Sequence, residues 1–176
     1  MPFDRQPRLV GEQLELRPLQ AEDFEALFAV ASDPLIWEQH PESDRYQEEV
    51  FRRFFADALK SGGALVALDR STSEIIGSSR FHGYDPADGG VEIGWTFLGR
   101  DYWGGSYNGE MKQLMLQHAF QTVQRVIFRI GPENFRSQKA VEKIGGKFSK
   151  KTTDSQGEEI WVYELTPEQY SPPKST

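Results

Sequence analysis

The sequence contains no cysteine. A disulfide framework, a thiolate metal site and a cysteine nucleophile are therefore excluded. Histidine is nearly as scarce: His40, His82 and His118 are the only three, and they lie far apart in the chain. Neither a zinc site nor a His-dependent triad is expected, and no metal is assigned. Long hydrophobic runs are also missing; none approaches the ~18 apolar residues of a membrane span. The opening "MPFDRQPRLVGEQ" has no signal-peptide hydrophobic region. The expectation is a soluble cytoplasmic protein with no membrane partner. Positive charge is short too, with 20 Lys+Arg against 27 Asp+Glu and a net charge of −7. A nucleic-acid binder usually carries a basic face, so no nucleic-acid partner is expected. The acidic balance suits a cationic small partner, and solubility accounts for it equally well.

What remains is a chain of 176 residues, 38% hydrophobic and 27% charged, enough for one domain with a sizeable core. A single domain over residues 1–176 is expected, with its core at about 9–166 and a tail at 167–176. The final "SPPKST" reads as a frayed end.

Hydrophobic spacing predicts the elements. "EQLELRPL" alternates and reads as a strand ended by Pro18. "AEDFEALFAVASD" places Phe24, Leu27, Phe28 and Ala31 at helical spacing, and "RYQEEVFRRFFADALKSGG" does the same with Val50, Phe54, Phe55 and Leu59. "ALVALDR" and "EIIGSSRFHGYD" flank a hairpin turn at "STS", and "GGVEIGWTFLG" is another strand. "SYNGEMKQLMLQHAFQ" reads as a helix with Met111, Leu114, Met115 and Phe120 inward. "RVIFRIG" is a buried strand, "NFRSQKAVEKIGG" a helix capped by Asn134, and "KFSKKTTDSQGEEIWVYELT" a final hairpin. The fold class is α/β (α+β): about seven strands in a mixed, mostly antiparallel sheet, with about four helices.

The change from strand to helix at "WGGSYN" has a use. A helix N-terminus exposes about four backbone N–H groups and roughly half a positive charge. Gly104, Gly105 and Ser106 let an anion approach that end, and Ser106, Tyr107 and Asn108 carry further polar side chains. A pyrophosphate fits this arrangement, and so does a plain turn. The Walker P-loop pattern and the dinucleotide glycine fingerprint are both absent from the chain.

"EIGWTFLGRDYWGGSYNGEMKQLMLQHAF", followed by "GPENFRSQKAVEKIGGKF", resembles the core of a GNAT-superfamily N-acetyltransferase. It is most similar to the RimJ/RimL-type branch, which acetylates protein N-termini; the early "LELRPLQAEDFEALFAVASDP" is also typical of that branch. The resemblance covers about residues 13–165. It implies a GNAT fold splayed between strands 4 and 5, and transfer of acetyl from acetyl-CoA to a primary amine by direct attack in a ternary complex. A small-amine acetyltransferase and a non-catalytic CoA-binding module are the alternatives. The partners implied are acetyl-CoA and an amine acceptor; a homodimer is left open.

The resemblance also implies roles. The family's pyrophosphate loop runs from Gln or Arg, through a glycine, to a final Gly or Ala. It falls on Trp103, Gly104, Gly105, Ser106, Tyr107 and Asn108, and departs from the family at Trp103, Ser106 and Asn108. Backbone at Trp95, Thr96 and Phe97 would bond the pantetheine arm, with Asn134 beside it. Ser137 would bond the departing thiolate, because Glu142 stands where many relatives carry a tyrosine. Glu92 is the candidate base; its strand position gives it a face shared with Gly94 and Thr96, opposite Val91, Ile93 and Trp95. An ion pair with Arg80 is the structural alternative for Glu92, and a water chain the alternative route for the proton. Arg136, Lys139 and Lys143 suit either a 3′-phosphate or a solvated helix face. Trp37, Glu38 and His40 are the candidate acceptor-binding residues, able to hold a cationic amine, with Trp37 equally suited to capping the core.

Overall fold

The sheet is laid down in chain order with two crossovers. The elements are β1 (Leu9–Val10), β2 (Leu14–Pro18), α1 (Phe24–Ala31), α2 (Glu48–Ser61), β3 (Ala64–Asp69), β4 (Ile75–Asp85) and β5 (Gly90–Leu98). They continue with α3 (Tyr107–Ala119), β6 (Arg125–Ile130), α4 (Phe135–Lys143), β7 (Lys147–Thr153) and β8 (Glu159–Leu165). The structure, a computed structural model, describes residues 2–172.

One sheet of eight strands forms among the described residues, ordered β1-β2-β3-β4-β5-β6-β8-β7. Every neighbouring pair is antiparallel except β5 and β6, which run parallel. This is the mixed α/β fold expected, with one strand more. The addition is β1, whose two residues carry too little alternation to read as a strand; β2 recruits them through Leu9↔Leu16 and Val10↔Glu15. The expected strands 4 and 5 are therefore β5 and β6.

Each face of the sheet has its own core. Met111, Met115, Leu116 and Ala119 of α3 and Val141 of α4 fill one side. Leu27 and Ala31 of α1 and Phe51, Phe55 and Ala58 of α2 fill the other. The phase of α2 differs from the sequence reading: Phe51 and Ala58 are buried, whereas Leu59 is 38% exposed. Both stripes satisfy helical spacing, and aromatic packing decides between them. Phe51 stacks on Phe28 at 5.6 Å and meets Phe97 at 6.2 Å.

The tail is docked further than expected. Ser171 N–H donates to Ile144 O at 2.9 Å, and the Tyr170 ring packs on Phe120 at 6.1 Å. Residues 173–176 of the expected frayed end lie outside the described residues.

Candidate active site

The site begins with a break in the sheet. β5 pairs with β6 only at Gly90↔Arg125, Val91↔Val126 and Glu92↔Ile127. Beyond Glu92 the two strands part. On its other edge β5 carries a bulge: Arg80 pairs with Gly94 and Ser78 with Phe97, so Trp95 and Thr96 together face Ser79. A bulge bends its strand and sharpens the local twist. Trp95 takes φ +55°, a left-handed backbone costing on the order of 1–2 kcal/mol for a bulky residue. Its ring is held by the Arg80 guanidinium at 4.2 Å and His82 at 5.3 Å.

The bulge also corrects the expected side-chain faces. Val91, Ile93 and Leu98 enter the core under α3, but Phe97 enters the opposite core. Trp95 lies with Arg80 and His82, on the face of Glu92, rather than opposite it. Thr96 turns the other way, and its hydroxyl bonds Ser79 Oγ and Lys112 Nζ, each at 2.8 Å. Simple alternation holds only up to the inserted residue.

The parted strands open a cavity of about 750 Å³. Glu92 through Leu98 form one wall and Phe128 through Gly131 the other. Gly104, Asn108, His40, Arg45 and His82 line it as well.

At the "WGGSYN" turn the backbone is unspent. Among the described residues, the amides of Gly104 through Gly109 donate to nothing; the first bond of the turn is Glu110 N–H to Ser106 O at 2.9 Å. Gly104 has φ +73°, and a Cβ at Gly104 or Gly105 would meet no atom within 4 Å. An anion therefore has both donors and room. The flanking side chains brace the turn. Trp103 Nε1–H donates at 2.9 Å to Leu98 O, a carbonyl that β6 does not reach, and Arg136 stacks on the Trp103 ring at 4.1 Å. Ser106 Oγ accepts from the Gln13 side chain; Tyr107 packs on Tyr102 at 4.9 Å and its hydroxyl donates to Asp69 at 3.5 Å. Ser106 and Tyr107 thus offer a ligand their amides and not their side chains. Gly105, Ser106 and Tyr107 do not line the cavity wall, which takes Trp103, Gly104 and Asn108.

The Glu92 carboxylate makes no hydrogen bond or ion pair with a described residue. Burial pushes its carboxyl up to about 7, against the opposing pull of Arg129 and then Arg80. The Arg80 pair considered from sequence is not formed: that guanidinium lies between Trp95 and Phe54, 4.2 and 5.7 Å from their rings, and burial lowers it to about 10. Asn134 caps α4 as expected, its Oδ1 accepting from Ser137 N–H at 3.4 Å, and both residues line the cavity.

The acceptor-side residues divide. Trp37 is 1% exposed, donates Nε1–H to Ala31 O at 2.8 Å and packs on Phe97 at 4.9 Å. It belongs to the core and not to the cavity wall, and Glu38 is exposed away from that wall. His40 does line it, lowered to about 4 by burial and by Arg45 and Arg136. The sequence reading omitted Lys112, Arg45, His82 and Arg129, all of which line the cavity. Lys112 had a signal: it shares a helical stripe with Met115, Leu116 and Ala119, all buried. Lys139 and Lys143 do not line the cavity; Arg136 does. Among the described residues no cluster of three His, Asp or Glu is placed to hold a metal, and no helix is long and apolar enough to cross a membrane.

An α/β sheet parted between parallel strands, with a phosphate-ready helix end feeding the gap, defines the class as an acyl-transferring GNAT fold. The acetyltransferase (GNAT) domain model matches residues 13–147, and the chain belongs to this family of N-acetyltransferases. An uncharacterized N-acetyltransferase p20 of Bacillus licheniformis is 29% identical over 143 residues, 77% of this chain and 80% of that one. The crystal structure of a GCN5-related N-acetyltransferase from Brucella melitensis superposes with TM-score 0.83 at 21% identity, covering 96% of this chain and 82% of that chain. Spermidine N-acetyltransferase from Vibrio cholerae, solved with CoA and spermine, superposes with TM-score 0.70 at 13% identity, covering 91% and 99%. At those identities the two structures speak for the fold.

Proposed function

We propose that this chain moves the acetyl group of acetyl-CoA to the α-amine of a protein or peptide N-terminus by direct attack in a ternary complex. One observation carries the reading: a single cavity joins the open amide turn to Glu92. The free amides of Gly104–Gly109 suit the diphosphate. Asn134 and the freed edge of β5 from Trp95 to Phe97 suit the arm, and a β5 backbone N–H beside Phe97 suits the charge that develops on the carbonyl oxygen. The thioester supplies the activated acetyl group.

Glu92 then matches the acceptor. An α-amine has a pKa of about 7.7–8.0 and a lysine about 10.4, and each unit costs about 1.4 kcal/mol. A carboxylate titrating at about 7 is a well-matched base for the former. The acetyl acceptor is read as an N-terminus rather than a polyamine because Arg80 and Arg129 act on Glu92 from two strands and Arg45 lines the same cavity. Three guanidinium groups repel a polycation. The sequence resemblance to the RimJ/RimL-type branch agrees with that choice, and His40 is the retained acceptor-side candidate.

The test is thiol release and product mass from purified protein with acetyl-CoA and a panel of N-terminal peptides, amino acids, polyamines and aminoglycosides. Acetylation confined to peptide α-amines supports the reading. Turnover on polyamines alone, or CoA binding with no turnover on any amine, overturns it.

A further inference from the structure

Lys112 is a buried ammonium without a counter-ion. It is 9% exposed, and none of the ion pairs among the described residues includes it. Its one hydrogen bond goes to Thr96 Oγ1, at 2.8 Å. A desolvated charge with a single neutral partner carries a large cost and is better replaced, for stability, by an apolar side chain of similar size. Its place gives the cost a purpose. Thr96 belongs to β5, and the Phe128 ring, 5.7 Å from Nζ, belongs to β6. The ammonium therefore stands between the two strands where they have parted, on the cavity wall and one to two turns into the helix whose first amides are open.

We infer that Lys112 is a catalytic residue, the cation that meets the thiolate as it leaves and supplies its proton. This rests on the acetyl-CoA reading above. Glu92 takes the proton of the attacking amine, whose nitrogen forms the new bond to the acetyl carbon. The carbon–sulfur bond breaks and its electron pair leaves with sulfur, which takes a proton from Lys112. Solvent then removes the proton from Glu92 and restores one to Lys112, so amine and thioester become amide and thiol with nothing left over.

Other donors near the gap are less suited. Ser137 can donate a hydrogen bond, but a serine hydroxyl does not hand over its proton in this pH range. The phenol of Tyr163 is spent on Glu142, at 3.4 Å, and neither residue lines the cavity. Burial lowers Lys112 to about 8, close to the ~8.5 of an ordinary thiol, so the proton passes between groups of similar affinity. Thr96, anchored in turn by Ser79 Oγ at 2.8 Å, fixes where the ammonium points.

The experiment follows the ultraviolet absorbance of the CoA thiolate bound to the protein as pH is raised, for wild type, Lys112→Met and Lys112→Gln. Calorimetry establishes that each binds CoA. In wild type the bound thiol should ionise about one pH unit or more below free CoA, a tenfold gain in thiolate, and both variants should lose that shift. Lys112→Met should also melt higher than wild type while kcat falls at least ~10-fold and the acetyl-CoA KM changes little. Equal thiol titrations in wild type and variants, or a lower melting temperature with unchanged kcat, overturn the assignment. A wild type that binds no CoA overturns instead the reading beneath it.

Discussion

His82 of β4 and Glu92 of β5 are register partners, standing directly opposite one another on the face of the sheet that carries Arg80. Burial, then Arg80, Arg5 and Arg129, lowers the imidazole, while burial raises the carboxyl to about 7. The pair is therefore not a salt bridge at neutral pH but a neutral ring facing a carboxyl that is part-ionised. That is the state a base needs. kcat/KM should rise with pH through about 7. Glu92→Gln should remove that inflection and lower kcat/KM by about 100-fold or more. An inflection near 7 that persists in the variant assigns the proton transfer to another group.

The same carboxyl makes a stability prediction of defined sign. Its folded pKa, about 7, lies above the ordinary 4.5, so the folded state holds a proton that the unfolded chain has released between those values. Its contribution is fully present below 4.5 and is lost as pH rises through about 7. At pH ~8 Glu92→Gln should stabilise the fold by about 1–3 kcal/mol, and near pH ~4.5 the two proteins should converge. Urea denaturation at the two pH values measures it.

Gly105→Asp separates phosphate binding from turn formation. A Cβ there meets nothing within 4 Å, and its φ is not left-handed. A carboxylate at a helix N-terminus stabilises by about 0.3–1 kcal/mol. The variant should keep or slightly raise the melting temperature while CoA affinity, read by calorimetry, falls at least ~10-fold through repulsion and occupied amides. Unchanged affinity would move the diphosphate elsewhere.

Trp37→Phe tests whether the indole serves the acceptor or the core. The substitution leaves Ala31 O without its 2.8 Å donor and removes packing on Phe97. Stability should fall by about 1–3 kcal/mol, with the acceptor KM unchanged within about twofold. A raised KM at unchanged stability would return Trp37 to the acceptor site.

Much of this protein was settled by local rules. Period-two and period-3.6 spacing laid out every strand and α-helix from Leu14 to Leu165 in the right order, though not the short 3-10 turns between them. Asn134 announced its cap, and the glycines of "WGGSYN" announced the start of a helix. Glu92 stood out as a charge within an apolar strand. These features depend on neighbours a few residues away, and a chain carries them in plain order.

Tertiary structure decided the rest. The bulge at Trp95 depends on the cross-strand partner Ser79, and it reversed the faces of Trp95 and Thr96. Trp37 became a core residue because Ala31 O and Phe97 meet its ring. Glu92 rose to about 7 and Lys112 fell to about 8 because distant elements close over them. Desolvation is the sum of everything packed around a group, and no window of sequence contains that sum.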